Sequence, residues 1–458
     1  MLIRFNVKNY LSFNTMQEFS MISGKVRSKM EHVYADDKIK LLKFAAIYGA
    51  NASGKSNLVS ALDFMQETII NGLPEGHTTK YCKINSSNKN QTSYFELEIK
   101  INNKYYAYGF EVLLNSSSFT SEWLVEILPN NREKEIFVRN VLEGTYSVNN
   151  YFKKKENIGK LELYADDIKS DDSILFIRVM NQNKVTMYSD NKNEVSILQD
   201  VYNWINNKLD INYPDRPVSD YSYFLTNKNF EEISRIISAF GTGITKFNEV
   251  EVAPDKLATA IPKSILLKLI AKLEDVNSKN KKTGNPKKSA MLFRSNRKDF
   301  FILEIDINDS ISCKTIEFNH GKNNNLFSLS EESDGTIRIL DLIEVLLNKN
   351  GEKIYLIDEL DRCLHPQLTY KFIEAFLEMA KIRNVQLIVT THESRLLDFE
   401  LLRRDEVWFI NKNIEGESSI YSLEEYNTRF DQKIDKAYLE GRYGGVPIFN
   451  TVFPIKED

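Results

Sequence analysis

Residues 49–56 read GANASGKS. They stand between an apolar run, LLKFAAIY at 41–48, and a stretch of helical periodicity from about Lys55 to Ile70. The spacing is Gly-x4-Gly-Lys-Ser. The glycines let a backbone curl round an anion, and the loop amides and helix start then face it. A lysine and a hydroxyl after the second glycine suit the β/γ-phosphates of ATP and a Mg²⁺ ion. The candidate ATP-binding residues are Gly49, Asn51, Ser53, Gly54, Lys55, Ser56 and Asn57, with Ser56 also a metal ligand.

Three further segments could complete such a site. KIYLIDELD (353–361) is an apolar run that ends in two acids. Asp358 suits a metal-holding role, and Glu359 suits a base that orients the attacking water. TTHE (390–393) follows the next apolar run, and its His392 could hydrogen-bond a γ-phosphate. Glu359 and His392 are the catalytic candidates. LSEESDGTIRIL (329–340) places Ser333, Asp334 and Gly335 at a capped helix start. In LHP (364–366), Pro366 fits a first helical turn and His365 reads as a cap or packing residue.

The elements that must position these groups follow from periodicity. Residues 1–8 and 41–48 read as strands. From 93 to 148, YFELEIKI, KYYAYGFEVLL, FTSEWLVEIL and EIFVRNV alternate apolar and polar residues like an antiparallel meander. Helical patterns occupy 194–208, 229–240 and 263–275. NSKNKKTGNPKKS reads as an exposed basic loop. Strands return at 300–307, 312–318, 353–357, 386–390 and 407–410, with helices at 334–348 and 366–382. The expected fold is α/β: a P-loop NTPase core drawn from both ends of the chain, with an inserted β meander and helical module. The expected divisions are 1–92 (core with the phosphate loop), 93–150 (meander), 151–298 (helical insertion with the basic loop) and 299–458 (the rest of the core).

Composition narrows the function classes. The 458 residues carry 60 basic and 64 acidic side chains, so the chain as a whole is not a polyanion binder. Lys279, Lys281, Lys282, Lys287, Lys288, Arg294, Arg297 and Lys298 could still meet nucleic-acid phosphates locally. Cys82, Cys313 and Cys363 lack ligand spacing, which argues against a disulfide framework or a zinc site. No apolar run approaches the roughly 20 residues of a membrane helix, and the amino terminus lacks a signal-peptide core. A cytoplasmic protein without membrane partners is expected.

The order GANASGKS, SDGT, LIDELD, LHP, TTH resembles ABC-type ATPases of the OLD/RecF/SMC-like group. RFNVKNYLSF looks like that group's opening strand and loop, and YLEGRYGGVP (438–447) resembles stand-alone RloA- and AbiL-type defence ATPases. The signature departs from LSGGQ in reading ESDGT, and no Q-loop glutamine is placed; Gln91 is a candidate by order alone. The resemblance implies an ABC-type head that pairs head-to-tail, as a homodimer or larger oligomer, around two ATP molecules. Ser333, Asp334 and Gly335 would then touch the γ-phosphate bound by the other subunit, and Asp361, as the D-loop residue, its phosphate site. It also implies an anti-phage role beside a separate effector nuclease, TOPRIM-like or HNH-type. His392 is followed by 458 − 392 = 66 residues, too few for a fused TOPRIM domain. The rivals are a RecF-like repair ATPase and an ATP-clamped scaffold with little turnover.

Overall fold

The computed structural model describes residues 1–458 apart from 37, 130–131, 149–150, 185–186, 189–193, 215–229, 254–256, 258, 283–288, 295–298, 307, 323–324, 349–351, 426–437 and 439–458. Contacts divide the chain into two compact units. The first comprises Met1–Asn212, Asn350–Leu360 and Leu377–Asp458, and the second Tyr213–Lys349 and Asp361–Phe376.

Two sheets organise the first unit, with strands numbered along the chain. One is antiparallel and runs β10 (Thr145–Ser147), β9 (Arg132–Asn140), β8 (Ser118–Leu128), β7 (Lys104–Leu113), β6 (Ser93–Ile101), β1 (Leu2–Lys8), β2 (Gln17–Ser20). Its β6 alternates strictly over Tyr94–Ile99, burying Phe95, Leu97 and Ile99, as a period of two requires. The other runs β11 (Leu209–Asn212), β17 (Ile354–Ile357), β18 (Gln386–Thr390), β5 (Phe44–Tyr48), β19 (Val407–Lys412), β20 (Ser418–Ser422). It is parallel up to β19, and β20 closes it antiparallel. Every residue of β5, β17 and β18 is buried. That explains why these strands read as unbroken apolar runs rather than alternations. A small hairpin joins β3 (Val33–Ala35) to β4 (Lys40–Leu42). Helices α1 (Lys55–Asn71), α2 (Lys155–Ile168), α3 (Phe176–Asn181) and α4 (Ser196–Asn207) belong to this unit.

The second unit holds a sheet of order β12 (Ile244–Glu251), β15 (Ile311–His320), β14 (Phe300–Ile305), β13 (Ser289–Arg294), with β16 (Leu326–Ser328) on β15. Helices α5 (Phe230–Ala239), α6 (Lys263–Lys282) and α7 (Asp334–Leu347) accompany it. Ile237 of α5, Phe247 and Phe318 of the sheet and Ile337 and Leu340 of α7 share one buried core. Helix α8 (Pro366–Ala380) begins in this unit and ends in the first.

Two sequence expectations change here. The segment 151–298 is helical in part, but it also supplies β11 to the parallel sheet and β12 and β13 to the second unit. The basic stretch is not a loop from its start: residues 277–282 continue α6, and Ser289 opens β13. Asn277 is buried and bonded to Asp309 and Ser289. Lysine is a good helix former, so α6 outlasts its apolar periodicity. The side chains of Lys279, Lys281, Lys282, Lys287, Lys288, Arg294, Arg297 and Lys298 lie outside the described residues, as does YLEGRYGGVP apart from Tyr438.

One buried side chain joins the two sheets of the first unit. Gln386, wholly inaccessible at the start of β18, accepts a hydrogen bond from Leu2 N at 2.6 Å. Its amide donates to the Leu2 and Leu42 carbonyls, both at 3.0 Å. Replacing it by leucine strands three main-chain groups in an apolar interior. The expected cost of Gln386→Leu is about 2–4 kcal/mol, measured as a shift in the denaturant midpoint at unchanged slope. A variant as stable as the parent would show that these bonds do not hold the sheets together.

Candidate functional site

Parallel pairing sets the site. Ile47 of β5 lies opposite Thr390 of β18, and Val389 of β18 lies opposite Ile357 of β17. The carboxyl ends of three neighbouring strands therefore share one edge. GANASGKS leaves from the first, TTHE from the second and Asp358–Glu359 from the third. That edge is where open parallel sheets bind ligands. Segments more than 300 residues apart in sequence are brought together by register alone.

Close packing shapes the loop. A Cβ on Gly49 would stand 2.5 Å from the Ile410 carbonyl of β19, so only glycine lets the loop turn beside that strand. Ala52 has φ 62° and Gly54 φ 117°, both left-handed. Lys55 is buried and its Nζ donates to the Gly49 carbonyl at 2.8 Å and the Ala50 carbonyl at 3.2 Å. The ammonium is thus curled against the loop it follows. Asn51 and Ser56 are exposed, and Ser53 is buried. Ser53 Oγ has no hydrogen-bond partner among the described residues. A left-handed loop, a buried hydroxyl without a partner, a lysine at the loop and an exposed serine at the helix start together fit a polyphosphate.

The acidic pair is held by β18. Thr390 Oγ1 donates to Asp358 Oδ1 at 2.5 Å and accepts from Glu359 N at 2.8 Å. One hydroxyl thereby fixes both the carboxylate of Asp358 and the backbone of Glu359. Asp358 N donates to Asn212 O at the end of β11 (2.8 Å), so Asp358 is anchored from both sides. Glu359 sits at φ 47°, a conformation costing on the order of 1 kcal/mol or more for a residue with a Cβ. Its side chain is half-buried, while His392 is exposed immediately beyond β18. An aspartate locked in place beside a strained, partly accessible glutamate is an arrangement suited to holding a metal and handling a water.

The remaining candidates belong to the second unit. Ser333 caps α7, accepting from Thr336 N at 3.1 Å, and both Ser333 and Asp334 are exposed. A Cβ on Gly335 would come within 3.0 Å of the Cys363 carbonyl, so the helix start and the turn after the acidic pair are in close contact. Asp361 opens that turn, accepting from Leu364 N at 3.0 Å. His365 does cap α8: its Nδ1 accepts from Gln367 N at 3.2 Å. Gln91 is exposed, with its amide 3.3 Å from Ser87 Oγ.

Three residues of the site carried no sequence signal, Ser12, Asn212 and Ser418, and Thr390 lies in TTHE with no role read for it. Asn57 Nδ2 donates to Ser12 Oγ at 2.7 Å, so the residue just after the loop motif faces a buried serine. Ser12 Oγ lies 2.7 Å from Ser418 Oγ, which in turn lies 2.5 Å from the Ser53 carbonyl. No local periodicity joins residues 12, 53 and 418.

The strand order and phosphate loop define a mixed α/β P-loop NTPase with antiparallel sheets. Residues 44–398 match the family described as "AAA domain, putative AbiEii toxin, Type IV TA system". The match spans well over half of the chain, which belongs to this family of P-loop ATPases. Among solved structures, similarity extends to an SMC head bound to the C-winged helix domain of ScpA (14% identity, 92% of this chain and 97% of that one, TM-score 0.40). It extends also to the SMC head of Thermotoga maritima (12% identity, 92% and 98%, TM-score 0.34). A third is an SMC head with an extended coiled coil bound to the C-terminal domain of ScpA, from Pyrococcus furiosus (14% identity, 96% and 98%, TM-score 0.35). No curated protein matches. Among the described residues, no helix is long and apolar enough to cross a membrane.

Gly49→Ala tests the packing of the loop without reference to ligand. The added methyl meets a main-chain carbonyl that cannot swing aside, so β19 or the loop must shift. A loss of about 1–3 kcal/mol is expected, read by thermal or urea unfolding. Unchanged stability would mean that the loop does not press on β19 as described.

Proposed function

We propose that this protein is a magnesium-dependent ATP hydrolase that works as an ATP-closed dimer, and that it is the sensor ATPase of a prokaryotic anti-phage system acting through a separate nuclease. The hydrolase reading is carried by one observation: the phosphate loop, Asp358–Glu359 and His392 leave the same edge of adjoining parallel strands. In this reading Lys55 transfers its ammonium from the Gly49 and Ala50 carbonyls to the phosphates. Ser56 and Asp358 would hold Mg²⁺, whose charge would offset that of the phosphoryl oxygens. Glu359 takes a proton from the attacking water, and His392 hydrogen-bonds the γ-phosphate. Catalysis then comes from positioning and charge stabilisation.

The dimer reading rests on the resemblance to ABC-type heads and on the exposed, capped start of α7. Ser333, Asp334 and Gly335 would meet the γ-phosphate bound by a second copy, with Asp361 beside them. ATP would close the pair and hydrolysis would release it. The family description, with its AbiEii toxin and Type IV toxin–antitoxin system, favours defence over a RecF-like repair role.

Lys55→Ala is expected to abolish ATP binding, measured by nucleotide titration and phosphate release. Wild-type turnover in that variant would refute the site.

Glu359→Gln separates binding from chemistry. It keeps size and hydrogen bonding but removes the proton acceptor, so ATP should bind normally while turnover falls by a factor on the order of 10² or more. The closed dimer should then accumulate and appear as an ATP-dependent mass increase in light scattering. Ser333→Arg on that background should prevent the increase. Hydrolysis at the parental rate would move the base elsewhere, and a mass increase that survives Ser333→Arg would remove the signature from the interface.

A further inference from the structure

Asn57, Ser12, Ser418 and the Ser53 carbonyl form a buried chain of polar atoms beside the phosphate loop, with successive separations of 2.7, 2.7 and 2.5 Å. The donors and acceptors in it follow from geometry and from the hydrogens available. A carbonyl only accepts and the Asn57 amide nitrogen only donates, while each serine hydroxyl has a single hydrogen. Ser418 must give its hydrogen to the Ser53 carbonyl. It shares that hydrogen with Ser12 Oγ, which also accepts from Asn57 Nδ2. Ser12 Oγ is thus a double acceptor, and the Ser418 hydroxyl links it to the peptide between Ser53 and Gly54.

The last link has a geometric consequence. In a trans peptide the C=O and N–H point in opposite directions. Holding the Ser53 oxygen on the β20 side turns the Gly54 N–H to the opposite side. Gly54 amide orientation matters because loop amides, not side chains, supply most of the anion-facing donors in such a loop. The serines can approach only because Gly54 has no Cβ, which would fall 2.5 Å from Ser418 Oγ and 2.9 Å from Ser12 Oγ. Ser12 is almost inaccessible, Ser418 is wholly so, and the backbone tie from Ser418 N to Ser12 O at 2.8 Å keeps the two together.

We propose that Asn57, Ser12 and Ser418 are positioning residues, a hydrogen-bond relay centred on the Ser418 hydroxyl that presets the Ser53–Gly54 peptide so that Gly54 N–H faces the polyphosphate. The proposal rests on the nucleotide-binding reading above. It gives the second glycine of the motif a partner some 360 residues away, and it assigns Asn57 to holding the loop rather than to touching ligand.

The experiment uses the full chain and Mg·ADP or Mg·ATP, with Ser418→Ala, Ser12→Ala, the double variant and Lys55→Ala. Ser418→Ala frees the peptide. The expected result is a dissociation constant for Mg·ADP raised about tenfold, equivalent to roughly 1.4 kcal/mol, with KM rising by a similar factor and kcat falling less than twofold. Ser12→Ala should weaken binding in the same sense, and the double variant should do no worse than Ser418→Ala, because both cut one relay. The ¹⁵N–¹H resonance of Gly54 should move downfield on adding Mg·ADP in the parent and much less in Ser418→Ala. Ser418→Thr keeps the hydroxyl and should restore binding toward the parental value. If Lys55→Ala loses binding while Ser418→Ala binds like the parent, the relay is overturned and the nucleotide site stands. If Lys55→Ala itself binds like the parent, the site and the relay fall together. A loss in Ser418→Ala that adds in full to that of Ser12→Ala would also overturn the relay, since it would show general loosening rather than a shared path.

Discussion

The parallel pairing of β5 with β18 and of β18 with β17 is the interaction on which the rest depends. Each strand is buried on both faces, so its register is fixed by what its neighbours can bury and not by solvent. Shifting any one of them by a residue would turn its side chains to the opposite face and move its terminal chemistry along the edge. The phosphate loop, the acidic pair and the Thr-Thr-His turn are thus placed by the same hydrophobic requirement that builds the core. Thr390 shows the economy of this: its main-chain carbonyl accepts from Leu360 N at 3.0 Å, while its hydroxyl fixes Asp358 and Glu359.

The site is buttressed from outside the parallel sheet as well. Gln386 ties β1 and β4 to the start of β18, and β20, the last strand among the described residues, supplies Ser418 to the loop. β11 extends the sheet beyond β17 and reaches Asp358 through a main-chain bond. Each support comes from a different part of the chain. The geometry at the edge is therefore a property of the assembled first unit rather than of any one motif.

This distribution decides what could be read from sequence. GANASGKS, LIDELD and TTHE were legible because each is a short local pattern following an apolar run, and in the structure each run is a strand buried on both faces. The meander was legible for the complementary reason, as half-buried strands alternate. Ser12, Ser418 and Gln386 were not, because their roles arise from contacts across 365 to 406 residues and a lone polar residue announces no partner. β11 escaped because LDIN is four residues long and two of them are polar. β12 and β13 escaped because they follow strongly helical stretches, and α6 ran on through lysines whose charge suggested a loop. The roles of individual side chains toward a nucleotide rest on motif chemistry, with geometry supplying only their common edge.

The interleaving of the parallel sheet also bears on how the protein is made. β5 leaves the ribosome long before both of its neighbours, β18 and β19, which lie hundreds of residues further along the chain. From Tyr48 to Thr390 is 390 − 48 = 342 residues, which at about 5–20 residues per second means roughly 20–70 s of synthesis. Throughout that interval FAAIY is an apolar strand with no sheet to join. The antiparallel meander, whose partners are neighbours in sequence, can form in the meantime and shelter it. The nascent chain therefore passes through an interval in which self-association competes with folding, and the edge that gathers the phosphate loop, the acidic pair and the Thr-Thr-His turn forms only after β18 has been made.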